Sequence, residues 1–139
     1  MRPQRAVVDA AVPLFTLGGE GEMKEACRHV LELVGEGLID AVASVEMIQE
    51  VVFHRLRRTG HPAAAADEAR DLMEAVTLID FDRPVLVEAL RLVQSGHARG
   101  RDAVHAATAL VHGVTTIVTP DPDFDGIPGL RRIDPRAVT

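Results

Sequence analysis

Along the chain, short blocks of apolar residues alternate with longer stretches patterned at the helical period. Residues 6–9, Ala-Val-Val-Asp, read as a short buried strand that ends in an acid. Residues 10–17 remain apolar and predict a short helix, broken by Gly18, Gly19 and Gly21. Over 22–35, Met23, Ala26, Cys27, Val30, Leu31 and Val34 recur at helical spacing, with Glu and Lys on the opposite face. Gly35 and Gly37 stop that helix, and 38–43 form a second strand candidate. Ser44 is placed to cap a helix running to about Arg58, with Val45, Ile48, Val52 and Leu56 as its core stripe. Glu46, Glu50, His54 and Arg57 share another face of it. The Ala-rich run 63–76 favours helix, and 77–81 read as a third strand. Asp82 caps a helix to about Ser95, with Pro84 in its first turn. A helix over 101–112, a strand over 115–119 and an edge strand within 130–134 complete the pattern.

Strands that alternate with helices predict the α/β class: a three-layer α/β/α architecture with a central parallel β-sheet. No repeat, low-complexity linker or composition break divides the 139 residues, so a single domain over 1–139 is expected. With 47% hydrophobic and 26% charged residues, the chain has the composition of a globular protein. Only 3% is aromatic, so the core must be built from Val, Leu, Ile, Ala and Met.

Charge and cysteine usage narrow the function. A net charge of −6 argues against nucleic-acid binding by the whole surface and leaves only local basic patches for that role. The single Cys27 excludes an internal disulfide and a cysteine-based zinc site, and fits a reducing compartment. No apolar run approaches the ~18 residues of a membrane span. The start, Met-Arg-Pro-Gln-Arg, lacks the features of a signal peptide, so a cytoplasmic location is expected.

In open parallel sheets, sites form outside the C-terminal ends of the strands. Asp9 follows the first strand, and Glu46 and Glu50 lie in the first turns of the helix after the second. Asp102 opens the apolar helix, and Asp121 and Asp123 follow the fourth strand. Four segments therefore bring acids to one edge. Crowded carboxylates repel one another and resist desolvation, so either protons or a cation must join them. An all-oxygen set without cysteine or clustered histidine suits a hard divalent ion, Mg²⁺ or Mn²⁺. Such ions serve phosphodiester hydrolysis. Neither a Ser-His-Asp arrangement nor a Walker-type phosphate loop is present.

Each residue also has a plainer explanation. Asp9, Asp121, Asp123 and Asp125 are turn formers, and Glu46 and Asp102 suit helix N-termini. His105, one turn after Asp102, reads as a structural histidine rather than a metal ligand. The apolar surroundings of Asp102 predict that it is buried and needs partners. Basic residues fall into three groups, His54-Arg55-Arg57-Arg58, Arg99-Arg101, and Arg131-Arg132 with Arg136. Arg99 and Arg101 flank Asp102 and are the candidates for phosphate contacts.

Three stretches carry a resemblance to a known family: Val7-Val8-Asp9; Ser44 through Val52; and Arg101-Asp102-Ala103-Val104-His105-Ala106-Ala107-Thr108-Ala109 through Thr119-Pro120-Asp121-Pro122-Asp123-Phe124. The chain resembles the PIN-domain family, specifically the VapC-type toxin ribonucleases of type II toxin–antitoxin pairs. The resemblance implies a PIN-like fold and a Mg²⁺- or Mn²⁺-dependent endoribonuclease. It implies that Asp9, Glu50, Asp102 and Asp121 form the acidic catalytic site. Asp9, Asp102 and Asp121 would hold metal, with Asp123 as an accessory acid. Thr119 would take the place of the family's hydroxyl residue beside the acids. A homodimer, an RNA substrate and a cognate antitoxin whose C-terminal segment blocks the site are implied as well. Spacing from Ser44 favours Glu50 over Glu46 as the family's helix acid. One departure stands out: Ala10 and Ala11 occupy positions where the family usually carries a hydroxyl or amide residue. This leaves a second expectation open, a weak or inactive PIN-like module that binds RNA or protein. A phospho-acceptor receiver domain also uses acids at strand ends, but the only lysine is Lys24, too early for that chemistry.

Overall fold

The computed structural model describes Met1–Thr139. Its elements are β1 (Arg5–Val8), α1 (Ala11–Gly18), α2 (Gly21–Gly35), β2 (Asp40–Ser44), α3 (Val45–Thr59) and α4 (Pro62–Ala75). They continue with β3 (Thr77–Ile79), α5 (Arg83–Gln94), α6 (Gly100–Val111), β4 (Thr116–Val118) and β5 (Arg131–Ile133). The strands form one five-stranded sheet in the order β3-β2-β1-β4-β5. Every pairing in it is parallel, as the strand–helix alternation predicts.

The chain steps outward from β1 to β2 to β3, then crosses back to lay β4 on the other side of β1. Reversing direction moves the returning helices to the opposite face of the sheet. Two apolar cores result. Ala6 and Val8 of β1 pack with Val12, Cys27, Met47, Val51 and Leu72 from α1 to α4. Val7 and Val42 pack with Val85, Ala89, Ala103 and Ala107 from α5 and α6. The central strands are thus apolar on both faces, the mark of a sheet covered twice.

Local capping behaves as the sequence suggests. The Ser44 hydroxyl accepts from the Glu46 N–H at 3.1 Å and starts α3, and the Asp82 carboxylate accepts from the Val85 N–H at 3.2 Å and starts α5. The third strand is shorter than its sequence run. Ser44 is the last residue of β2 and pairs with Ile79, so β3 has no partner beyond that point. No helix is long and apolar enough to cross a membrane.

Candidate metal centre

The strand order reverses between β1 and β4, and this is where an open parallel sheet forms a crevice. Val8 is in register with Val118, so the next residues of the two strands, Asp9 and Thr119, leave the sheet side by side. The Thr119 hydroxyl donates to Asp9 Oδ2 at 3.0 Å and accepts from the Asp121 N–H at 3.1 Å. A single buried hydroxyl therefore ties the first acid to the loop that carries the last ones. Asp121 in turn accepts from the Asp123 N–H at 2.9 Å, which folds Pro122–Phe124 into a 3-10 turn.

From the other side comes α6. Gly100 opens it at φ +58°, a left-handed conformation that a side chain would strain, and Asp102 falls in the first turn. Asp102, Asp121 and Asp123 each present a carboxylate oxygen, and these oxygens lie within 4.8 Å of one another. Asp9 and Glu50 stand outside this group of three. Asp102 is only partly buried, where its apolar helix predicts full burial. Only the later turns of α6 sit beneath the sheet's cover; its first turn opens onto a groove lined by Val93, His97, Arg99, Asp102 and Asp123.

The electrostatics record the crowding. Burial pushes the Asp9 carboxyl up to about 7, against the opposing effects of His105 and the Thr119 hydrogen bond. The charges of Glu50 and Asp102 add to the rise. Burial also raises Asp102, with the Asp121 charge next in importance. Asp9 Oδ1 is buried and has no hydrogen-bond partner. The side chains of Ala10 and Ala11 carry no donor that could supply one. An all-oxygen trio with an orphaned carboxylate oxygen nearby fits a hard divalent cation, which would relieve both the repulsion and the desolvation.

Glu50 sits differently. His105 Nε2 lies 3.1 Å from its Oε1. Burial alone would raise the Glu50 carboxyl, but the hydrogen bond and charge of His105, with Arg101 and His54, hold it below its usual range. Glu46, by contrast, pairs with Arg101 at 3.7 Å. Arg101 also lies over the Phe53 ring, 5.8 Å from its centroid. Arg99 is exposed on the groove beside Asp102.

Three sets of contacts had no signal in the sequence. Arg132 reads there as part of a basic rim, yet it grips Asp125 at 2.8 and 3.2 Å and donates to the Thr119 carbonyl at 3.1 Å. It thereby clamps the acidic loop to the edge strand β5. Arg55 is likewise consumed by Glu68 of α4 at 3.0 Å. The His105–Glu50 contact joins residues 55 apart and depends on how α3 and α6 meet.

The PIN domain family matches residues 6–130. Ribonuclease VapC7 of Mycobacterium tuberculosis is 30% identical, across 94% of this chain and 92% of its own length. Among solved structures, a DNA-bound VapBC from Salmonella typhimurium superposes with a TM-score of 0.72 at 18% identity, covering 96% of this chain and 99% of that one. The Mycobacterium tuberculosis toxin VapC20, described as cleaving the sarcin-ricin loop, gives 0.66 at 22% identity, covering 91% and 98%. With the acids gathered where β1 and β4 diverge, the chain belongs to the PIN domain family, in its VapC-type branch.

Proposed function

We propose that this chain is a Mg²⁺- or Mn²⁺-dependent endoribonuclease, the toxin of a toxin–antitoxin pair, that hydrolyses RNA phosphodiester bonds. The observation that carries this reading is the convergence of the Asp102, Asp121 and Asp123 carboxylates beside the buried Asp9. In this proposal Asp9, Asp102, Asp121 and Asp123 hold the metal. A divalent ion bound there supplies an activated water and offsets charge on the leaving oxygen. Glu50, kept ionised, accepts a proton from the attacking water or orients it. Thr119 keeps Asp9 and the acidic loop in step. Arg99 and Arg101 flank the acids and contact RNA phosphates. The similarity to a protein named as a ribonuclease supports the substrate class. The likeness in fold to a toxin–antitoxin complex supports a cognate antitoxin as partner, and a cytoplasmic setting goes with an RNA target.

The test is cleavage of RNA by the purified chain. Activity is expected with Mg²⁺ or Mn²⁺, with complete loss in EDTA and recovery when Mn²⁺ is returned. Cleavage that continues undiminished in EDTA would rule out the metal-dependent mechanism. One observation favours a second reading, an inactive binding module: the polar support missing at Ala10 and Ala11 leaves Asp9 Oδ1 alone. Mg²⁺ binding by calorimetry, without RNA turnover under any condition, is the result that reading expects.

A homodimer belongs to the same proposal. Helix α5 buries Val85, Ala89 and Leu92 against the core, yet its outer side exposes Leu86, Val87, Leu90 and Val93. An exposed apolar stripe of this kind on an otherwise amphipathic helix calls for cover. Leu90, 58% exposed, sits mid-stripe. Leu90→Glu is expected to turn a dimer into a monomer by light scattering; an unchanged mass would place any dimer contact elsewhere.

A further inference from the structure

We propose that His105 is a positioning residue, which fixes the Glu50 carboxylate at the edge of the acidic site through a hydrogen bond from Nε2 to Oε1. This inference rests on the ribonuclease reading above.

Four observations point the same way. First, His105 is 1% exposed, a buried polar side chain in a run of small apolar residues on α6. Secondly, its one polar contact is to Glu50, at 3.1 Å, and reaches from α6 across to α3. Thirdly, Nδ1 has no partner. An ionised carboxylate only accepts hydrogen bonds, so the shared proton lies on Nε2. The hydrogen bonding of the imidazole is committed wholly to Glu50. Fourthly, Oε2 of Glu50 receives no hydrogen bond from the protein, and the side chain is still 19% exposed. One oxygen is held and the other is left available.

The consequence concerns geometry. Glu50 lies mid-helix on a long, flexible side chain, and its neighbours Asp9 and Asp102 repel it. An unrestrained carboxylate would swing toward Arg101 or His54, whose charges attract it. The imidazole, locked by tight packing on α6 one turn after Asp102, sets the position of Glu50 relative to Asp102. Partners that orient a reactive carboxylate in this way are typically worth about 10- to 100-fold in activity or metal affinity.

The test uses the full chain and three variants. His105→Leu removes the donor at similar volume, and His105→Gln returns an N–H near the Nε2 position. With saturating Mg²⁺, kcat for RNA cleavage is expected to fall about 10- to 100-fold in His105→Leu, with KM within about threefold, and His105→Gln should recover most of the loss. In the metal-free wild type, long-range ¹H–¹⁵N imidazole spectra should place the His105 proton on Nε2, and Glu50→Ala should remove its hydrogen-bonded shift. Wild-type kcat in a folded His105→Leu, or a His105→Gln no better than His105→Leu at equal melting temperature, would overturn the proposal. A wild-type chain that cuts no RNA fails the ribonuclease reading instead. The imidazole spectrum then decides: an unprotonated Nε2, or a proton there that is indifferent to Glu50→Ala, overturns the role of His105.

Discussion

Asp102→Asn is expected to lower RNA cleavage by about 1,000-fold and to abolish growth inhibition on expression. That factor corresponds to about 4 kcal/mol of lost transition-state stabilisation, at ~1.36 kcal/mol per tenfold. The size follows from position. Asp102 is the member of the acidic trio supplied by α6, while Asp121 and Asp123 share a single turn. Removing its charge leaves a one-sided site that neither grips a divalent ion nor aligns it with Asp9. The fold itself should be unharmed. Asn keeps the volume and polarity of Asp in the first turn of α6. Burial and the Asp121 charge already disfavour the Asp102 carboxylate, so in the metal-free protein the neutral side chain relieves repulsion. The variant should therefore melt at or above the wild-type temperature in EDTA while losing activity in Mg²⁺. Undiminished cleavage by a well-folded Asp102→Asn would sink the four-carboxylate mechanism.

The second large effect is on stability, and it concerns Asp9→Asn. In the folded, metal-free chain, burial keeps Asp9 protonated up to about 7, whereas unfolded it ionises near 3.8. Between those values the folded state holds a proton that the unfolded state has released, so stability falls as pH rises. The full difference amounts to about 4 kcal/mol, present below the lower value and lost once pH has passed through the upper one. Asn does not titrate and can still accept from the Thr119 hydroxyl. Relative to wild type, Asp9→Asn should gain about 2–4 kcal/mol in EDTA on going from about pH 5 to about pH 8. Mg²⁺ should raise the melting temperature of the wild type at the higher pH and do little for the variant, since cation binding replaces the proton. Thermal melts with and without Mg²⁺ provide the measurement. A wild-type-minus-variant difference that does not change with pH would remove the electrostatic account of Asp9.

The elements were readable because their signals are local. Helical spacing in α2, the Ser44 and Asp82 caps and the β-branched run before Thr119 each act over a few residues, and the structure retains them. The acids were readable as candidates for a different reason. A buried parallel sheet leaves only its strand ends for polar chemistry, so Asp9, Glu50, Asp102 and Asp121 could be placed at one edge before any contact was known. The partners of those acids could not be read. Burial of Asp102 was overstated because apolar periodicity describes a whole helix, while its first turn projects past the sheet.

Sequence alone determined the α/β alternation, the aliphatic core and the set of carboxylates at the strand ends. Those properties depend on neighbours within one or two turns. Tertiary structure decided which acids meet. Register between β1 and β4 put Thr119 against Asp9. The crossing of α3 and α6 gave Glu50 to His105 and left Glu46 to Arg101. The edge strand turned Arg132 from a basic surface residue into the clamp on the acidic loop. Each of these contacts joins separate elements, and its geometry is set by sheet register and helix packing, which no local pattern of residues encodes.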